Sequence, residues 1–214
     1  MRARLLRGGA QIAFADLRRK VFFHRQKALI VFAIDASESM GEGSLERMKA
    51  AKGAVLGLLT AAYQNRDQVA LIAFREQHAQ ILLRPTSSVQ LAQQHLRKLP
   101  LGGATPLADG LWQAWQLIRS ERQKQPALQP FLVVVSDGEA NVPRVPGADI
   151  VTELNGIAEQ LAKDRIEALV VDSQAGIGNP RLQQLAQTLG GDYQQIRDLH
   201  AGKLLAAILA SEAR

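Results

Sequence analysis

Short apolar runs that alternate with amphipathic segments constrain the fold of this chain more than any other feature. Residues 28–35 (ALIVFAID), 69–74 (VALIAF), 131–136 (FLVVVS) and 167–171 (EALVV) have the length of strands and few polar breaks. Such runs are typical of strands that are buried on both faces. Between most of them, apolar residues recur every three or four positions, as they do in a helix with one buried face. The alternation predicts an α/β protein with a doubly wound, mostly parallel central sheet and helices on both faces.

One strand pair breaks the parallel pattern. A short apolar run at 80–83 follows the strand at 69–74 after a polar turn at 75–78, so the two strands are predicted to form an antiparallel hairpin at one edge of the sheet. A last short strand is predicted at 193–196. The predicted helices cover residues 45–64, 89–99, 106–122, 150–164, 180–189 and 199–210. The apolar face of each helix predicts core residues. In the first helix these are Leu45, Met48, Ala51, Val55, Leu59 and Ala62, and in the third they are Leu107, Leu111, Ala114, Trp115 and Ile118.

The positive charge of the chain is concentrated at its beginning. Of a net charge of +6, residues 1–27 hold eight basic residues against one acid, whereas residues 28–214 hold eighteen basic and nineteen acidic residues. We therefore predict a basic N-terminal arm over 1–27 and a folded domain over 28–214. The arm either contacts an acidic partner or nucleic acid, or is a solvated tail that lies against the domain's own acids; the sequence leaves both open.

Composition excludes several other classes of protein. With 214 residues the chain fits a single domain with a sizeable core, and with no cysteine it has neither disulfides nor a thiolate metal site. The longest apolar runs are too short to span a bilayer. The first residues alternate basic and apolar positions and lack the continuous apolar stretch of a secretory signal. We expect a cytoplasmic protein without a membrane span.

Hard oxygen donors gather at three places along the chain. Asp35, Ser37 and Ser39 follow the first strand, Thr105 precedes a helix in a Gly-Gly-Ala-Thr-Pro loop, and Asp137 follows the FLVVVS strand. In a parallel sheet, ligands bind outside the carboxyl ends of the strands, near the switch in strand order. Hydroxyl and carboxylate oxygens are the ligands that Mg²⁺ and Mn²⁺ prefer. The five residues together predict a divalent metal site.

Each of these pieces also has an ordinary structural explanation. Asp and Ser after a strand commonly form turns. Thr105 before Pro106 has the pattern of a helix N-cap followed by proline at the first helical position, and Asp137-Gly138 is a frequent turn dipeptide. The joint position of all three pieces at one edge of the sheet favours the metal site.

The order of these motifs resembles a known family. Asp-x-Ser-x-Ser, a loop threonine and a strand-end Asp-Gly are similar to the metal-ion-dependent adhesion site of von Willebrand factor A domains, and the resemblance covers about residues 28–212. The segments DLRRK, FAIDASESM, AKGAVLGLL, VALIAF, LPLGGATPLADGL, VVVSDGEANV and LGGDYQQI are further similar to the C-terminal A domain of the D subunit of magnesium chelatase and its cobaltochelatase relatives.

The resemblance implies roles for the site residues. Asp35, Ser37 and Ser39 would supply the first ligands of a Mg²⁺ or Mn²⁺ ion, and Thr105 and Asp137 would complete the set directly or through water. One position at the ion would stay open for a carboxylate of a partner protein. The implied partners are an AAA+ ATPase subunit and the large chelatase subunit.

The sequence departs from the family pattern in three respects. Glu38 stands where such motifs usually have glycine, and it would place a third carboxylate beside the ion, which either raises metal affinity or competes with the partner's acid. Ala104 replaces a glycine in the threonine loop. No Gly-x-x-x-x-Gly-Lys-Ser/Thr motif occurs, so the ATPase module of a full D subunit is missing from this sequence. The chain is either a stand-alone A-domain protein or only the A domain of a longer D subunit.

We expect no catalysis by the chain itself, because none of its four histidines lies in a zinc or general-base motif and no nucleophile elbow is present. The leading hypothesis is an accessory, D-type subunit of an ATP-dependent chelatase that inserts Mg or Co into a tetrapyrrole. A second is an A-domain adaptor for a MoxR-like ATPase. A third, a nucleic-acid-associated A domain, is weakened by the few aromatic residues in the arm, Phe14, Phe22 and Phe23.

Overall fold

Six strands form the sheet of the computed structural model, which describes residues 28–40, 67–174 and 177–196 and nine positions between 52 and 64. The strands are β1 (Ala28–Asp35), β2 (Gln68–Arg75), β3 (His78–Thr86), β4 (Gln129–Ser136), β5 (Glu167–Asp172) and β6 (Asp192–Gln195). Their order across the sheet is β3-β2-β1-β4-β5-β6, and only the β2–β3 pair is antiparallel. The predicted α/β class, the mostly parallel sheet and the antiparallel edge strand are confirmed.

Helices cover both faces of the sheet. The helices with described bounds are α1 (Val89–Arg97), α2 (Leu107–Lys124), α3 (Ile150–Lys163) and α4 (Pro180–Leu189). Residues of α2, α3 and α4 share one core cluster with Leu29, Val31 and Ala33 of β1. The alternate residues of β1, Ile30, Phe32 and Ile34, belong to a second cluster with α1 and with the helical segment that contains Val55, Leu59 and Ala62. Every residue of β1 is buried, as expected for a strand covered on both faces.

Most elements agree with the sequence-based prediction, but their ends differ. The hairpin strands pair up to a tight turn at Glu76, whose φ is 56°, so β3 begins at His78 and not at residue 80. The helix predicted at 106–122 begins at Leu107, with Pro106 as its N-cap and no side-chain cap hydrogen bond. The interpretation of Thr105 as an N-cap is therefore wrong. The predicted arm over 1–27, much of the helix at 45–64 and the helix at 199–210 lie outside the described residues.

The strand order places a crevice at the carboxyl ends of β1 and β4. In the order 3-2-1-4-5-6, the chain winds away from the centre in opposite directions on the two sides of the β1–β4 pair, and ligands of such sheets bind at this switch point. The parallel register pairs Ile34 with Val135, so Asp35 and Ser136 leave the sheet side by side. The loop after β4 and the turn after β1 therefore meet at one place.

Packing between α2 and β2 gives a prediction that is independent of the site. A Cβ added at Gly110 would lie 2.5 Å from Cδ1 of Phe74, which is fully buried. We expect Gly110→Ala to lower the free energy of unfolding by about 1–3 kcal/mol, because overpacking outweighs the gain in helix propensity. Gly156→Ala in α3 is the matched control, since nothing lies within 4 Å of its added Cβ, and it should stabilise the protein by up to about 1 kcal/mol. Urea denaturation measures the free energy of unfolding of both variants. Equal stabilisation by both substitutions would contradict the close packing of Gly110 against Phe74.

Candidate metal centre

Asp35, the last residue of β1, is the buried centre of the site. Its side chain has no exposed surface, and both of its carboxylate oxygens accept hydrogen bonds. The backbone amide and the hydroxyl of Ser37 donate to Oδ1 at 3.0 and 2.6 Å. The hydroxyl of Ser136, at the end of the neighbouring strand β4, donates to Oδ2 at 2.6 Å. The adjacent strands β1 and β4 thus hold one carboxylate between them.

A tight turn brings the two serines of the Asp-x-Ser-x-Ser motif together. Residues Glu38–Met40 form a single 3-10 turn directly after Ser37, and the hydroxyls of Ser37 and Ser39 lie 3.0 Å apart. The turn is anchored by Met40, which is buried and whose sulfur accepts a hydrogen bond from the hydroxyl of Ser173 at 3.0 Å. Asp35, Ser37 and Ser39 therefore form one connected cluster of oxygen atoms.

Asp137 lies beside this cluster at the end of β4. The residue is 2% exposed, and its Oδ1 accepts the backbone amide of Glu139 at 3.0 Å. Its backbone carbonyl accepts a hydrogen bond from the side chain of Asn179 at 2.8 Å. The next residue, Gly138, has a φ of +81°, and a Cβ there would lie 2.6 Å from Nδ2 of Asn179. Only glycine fits this turn without strain, which explains the Asp-Gly dipeptide.

The buried charges of Asp35 and Asp137 are near enough to affect each other. Burial raises the pKa of Asp35 from 3.8 to about 6, the hydrogen bonds from Ser136 and Ser37 act in the opposite direction, and the negative charge of Asp137 raises it further. A carboxylate that is removed from water and placed near a second one is costly unless a cation compensates for it. A cation bound near Asp35 and Asp137 would offset this cost.

Two backbone hydrogen bonds join the threonine loop to the turn after β1. The amide of Gly102 donates to the carbonyl of Ala36 at 2.9 Å, and the amide of Glu38 donates to the carbonyl of Gly103 at 2.8 Å. Gly103 has a φ of +78°, and a Cβ there would lie 2.6 Å from Cγ of Glu76. The second glycine is required because the loop passes directly over the hairpin turn.

Thr105 itself is 1% exposed and is tied to the loop after β4. Its amide donates to the side-chain oxygen of Asn141 at 2.6 Å, and its carbonyl accepts the amide of Asn141 at 3.2 Å. The two loops that carry Thr105 and Asp137 are thereby linked to each other. All five predicted residues come from three segments that the structure joins by hydrogen bonds at the carboxyl edge of the sheet.

Glu38 does not join the cluster as predicted. Its side chain is exposed, and nowhere in the described part of the chain do three acidic or histidine side chains converge. The 3-10 turn places Ser37 and Ser39 toward the buried carboxylate and leaves the residue between them at the surface. The prediction of a third carboxylate beside the ion is therefore wrong.

The donor set fits a small, hard divalent cation. Two carboxylates and three hydroxyls offer only oxygen atoms, which suits Mg²⁺ or Mn²⁺ and does not suit a soft metal. The site lacks the imidazole and thiolate ligands of zinc sites. Asp35, Ser37, Ser39, Thr105 and Asp137 are the residues that could hold such an ion.

Four supporting residues were not predicted as part of the site. Ser136 is the last residue of the FLVVVS run and carries no separate signal in the sequence, although its hydroxyl donates directly to the carboxylate of Asp35. Asn141 and Asn179 were not singled out, because polar residues in loops are too common to carry a signal in one sequence. Arg181 near the start of α4 also donates to the carbonyl of Gly138, at 3.1 Å. Only the position of Ser136 next to a strand-end acid could have indicated its role.

Comparison with known proteins identifies the family. The von Willebrand factor type A domain family matches residues 30–139, which include all five residues of the candidate site. The chain belongs to this family. Solved structures agree in fold: the vWF domain of the type V pili tip protein Mfa5 from Porphyromonas gingivalis superposes with a TM-score of 0.69 over 90% of this chain and 98% of that domain, at 14% identity.

Several of the proteins whose sequences are similar to this chain are magnesium-chelatase subunits. The chain is 36% identical to the magnesium-chelatase 67 kDa subunit of Chlorobaculum parvum over 95% of its own length and 34% of that protein. An uncharacterised protein of Methanocaldococcus jannaschii is also 36% identical, and the match covers 76% of this chain and 94% of the archaeal protein. The chain thus spans about a third of the chelatase subunits it matches and nearly all of one smaller relative.

None of the described helices is both long enough and apolar enough to cross a membrane.

Proposed function

We propose that this chain is a metal-dependent docking domain of an ATP-dependent metal chelatase, equivalent to the A domain of a D-type subunit that inserts Mg or Co into a tetrapyrrole. The observation that carries the proposal is the 36% identity to a magnesium-chelatase 67 kDa subunit over 95% of this chain. The local geometry is consistent with it, because the three segments that carry the two buried carboxylates, the serine hydroxyls and Thr105 are joined by hydrogen bonds where ligands of this sheet type bind.

Asp35, Ser37, Ser39, Thr105 and Asp137 would hold Mg²⁺ or Mn²⁺ as a resident ion. The bound ion supplies a positive centre that can accept a carboxylate of a partner protein as a further ligand. Two carboxylates bound directly would offset the ion's formal charge of +2, so a partner carboxylate is favoured most if Asp137 contributes through a water molecule and Asp35 is the one acid in direct contact, the other groups being neutral hydroxyls. The hydrogen bonds of Ser136 and of the threonine loop keep the ligand oxygens in place, and the exposed Glu38 lies in the turn at the rim.

The proposed role is docking and not catalysis. The sequence has no phosphate-binding loop, so the nucleotide chemistry would belong to a separate AAA+ ATPase module. The large chelatase subunit would bind the tetrapyrrole. The domain would connect the two, with the ATPase contributing the carboxylate. A cytoplasmic location, where such an assembly would meet its substrate, remains our expectation.

The proposal is tested by identifying what the chain binds in its native cell. The full chain is immobilised, and lysate is passed over it in Mg²⁺ and, in parallel, in an excess of chelator. We expect an AAA+ ATPase and a large chelatase subunit to be retained in Mg²⁺ and absent from the chelator eluate. The Asp137→Ala variant in Mg²⁺ is the matched control and should resemble the chelator sample. Retention of a MoxR-like ATPase without any chelatase subunit would contradict the proposal and favour the adaptor hypothesis.

A further inference from the structure

Thr105 is held in place by an unusual set of contacts. It precedes Pro106, which has no backbone N–H and which keeps the residue before it out of helical geometry. The helix that follows begins only at Leu107 and has no side-chain cap. The usual means by which a helix start fixes its first residues are therefore missing here, although Thr105 is 1% exposed and lies in the candidate metal centre.

Asn141 supplies the missing contacts. Its side-chain oxygen accepts the amide of Thr105 at 2.6 Å, and its own amide donates to the carbonyl of Thr105 at 3.2 Å. Both polar groups of the Thr105 backbone are thus bound by one residue. Asn141 is itself exposed, so burial does not explain its position. It lies four residues after Asp137, on the same loop.

The other end of this loop is fixed to the body of the protein. The side-chain NH2 of Asn179 donates to the carbonyl of Asp137 at 2.8 Å. The backbone amide of Asn179 donates to the buried carboxylate of Asp172 at 2.7 Å. The hydroxyl of Tyr193 donates to the same carboxylate at 2.6 Å. One end of the segment 137–141 is therefore anchored through Asn179, at the start of α4, to Asp172 of β5 and Tyr193 of β6. The other end is hydrogen-bonded to the backbone of Thr105.

We propose that Asn141 is a positioning residue that sets the distance of Thr105 from Asp137 and thereby tunes the centre for Mg²⁺. The inference rests on the proposed function, since it concerns the same ion. Mg²⁺ demands nearly ideal octahedral geometry at about 2.0–2.1 Å, whereas Ca²⁺ accepts irregular and longer coordination. A loosened Thr105 loop therefore weakens Mg²⁺ more than Ca²⁺. This selectivity is a readout that a general loss of stability would not change.

The test compares variants of the full chain by calorimetric titration with Mg²⁺ and with Ca²⁺. We expect Asn141→Ala to weaken Mg²⁺ binding about 10- to 100-fold, the range for residues that orient metal ligands, and to weaken Ca²⁺ binding less. Asn141→Asp keeps the accepting oxygen and should retain the Mg²⁺-over-Ca²⁺ preference. Asn155→Ala on α3 is the matched control and should titrate like the wild type. In hydrogen exchange without metal, the Thr105 amide should lose protection in Asn141→Ala alone.

These titrations distinguish failure of the positioning role of Asn141 from failure of the proposed metal-dependent function. If the wild type binds Mg²⁺ and Asn141→Ala binds both ions as the wild type does, the positioning role is refuted while the proposed function stands. Equal weakening of Mg²⁺ and Ca²⁺, with Thr105 still protected from exchange, refutes it as well. If the wild type binds no divalent ion, the proposed function fails, and the inference fails with it.

Discussion

We expect the Asp35→Asn substitution to stabilise the metal-free protein and to abolish its stabilisation by magnesium. The wild-type site holds a fully buried carboxylate close to the charge of Asp137. Asparagine has nearly the same shape, carries no charge, and its oxygen can still accept the two hydrogen bonds of Ser37. Its NH2 group takes the place of the oxygen that accepts from Ser136, so the Ser136 hydroxyl has to turn and accept instead of donate. The substitution therefore removes an electrostatic cost of folding and at the same time removes a metal ligand.

The sign and size follow from the pKa of Asp35, which is raised from 3.8 to about 6 in the folded protein. Because the folded state binds this proton more tightly than the unfolded state, the stability contributed by protonation is complete below the unfolded pKa and is lost as the pH rises through about 6. At pH 7 the loss is about 3 kcal/mol, since one pKa unit corresponds to about 1.36 kcal/mol. Asp35→Asn should regain part of this amount in the metal-free protein, because the altered contact with the buried Ser136 hydroxyl offsets some of it.

Urea denaturation at pH 7, with and without Mg²⁺, measures both effects. Wild type should gain about 2.7 kcal/mol when Mg²⁺ is present at a hundred times its dissociation constant, whereas Asp35→Asn should gain nothing. Glu38→Gln is the matched control, because it neutralises an exposed acid in the same turn and should leave both measurements unchanged. A variant that is less stable than wild type and still responds to Mg²⁺ would show that Asp35 is a structural residue and not a metal ligand.

The strands and the site edge could be predicted from the sequence because their signals are local. A strand buried on both faces is an unbroken apolar run, and the run at 28–35 coincides with β1. The carboxyl ends of parallel strands lie at one edge of the sheet, so the acids and hydroxyls that follow these strands are predicted to be neighbours. The three segments of the site were thus placed together without knowledge of side-chain contacts.

The errors arose where a contact between distant segments overrides a local preference. Thr105 has the local pattern of an N-cap, but the hydrogen bonds to Asn141 hold it outside the helix. Glu38 lies inside the Asp-x-Ser-x-Ser motif, yet the turn that brings Ser37 and Ser39 together leaves it exposed. Neither contact partner nor turn geometry is encoded in a short window of sequence, so both required the structure.

The second large effect is expected in partner binding. Asp137→Ala and Thr105→Ala should each abolish binding of the ATPase partner, because each removes a proposed ligand of the ion that bridges the two proteins. Both residues lie at the rim of the sheet and outside the two core clusters, so both variants should fold. Asp192→Ala and Thr188→Ala, in β6 and α4, are matched controls for the same substitutions and should bind normally.

Circular dichroism establishes that each variant is folded before its partner titration is compared with wild type. Normal binding by folded Asp137→Ala would contradict a ligand role for Asp137. Binding lost in the controls as well would point to a general effect on the domain and would contradict the metal-specific explanation.

The most direct test of the metal bridge is one titration of wild-type chain with the ATPase partner captured from the native cell, performed in Mg²⁺ and repeated with excess chelator. The five-residue site predicts saturable binding in Mg²⁺, none in chelator, and full recovery when Mg²⁺ or Mn²⁺ is restored. Equal affinity in Mg²⁺ and in chelator would contradict it, and the strand-end acids and hydroxyls would then be turn-forming residues without a bound ion.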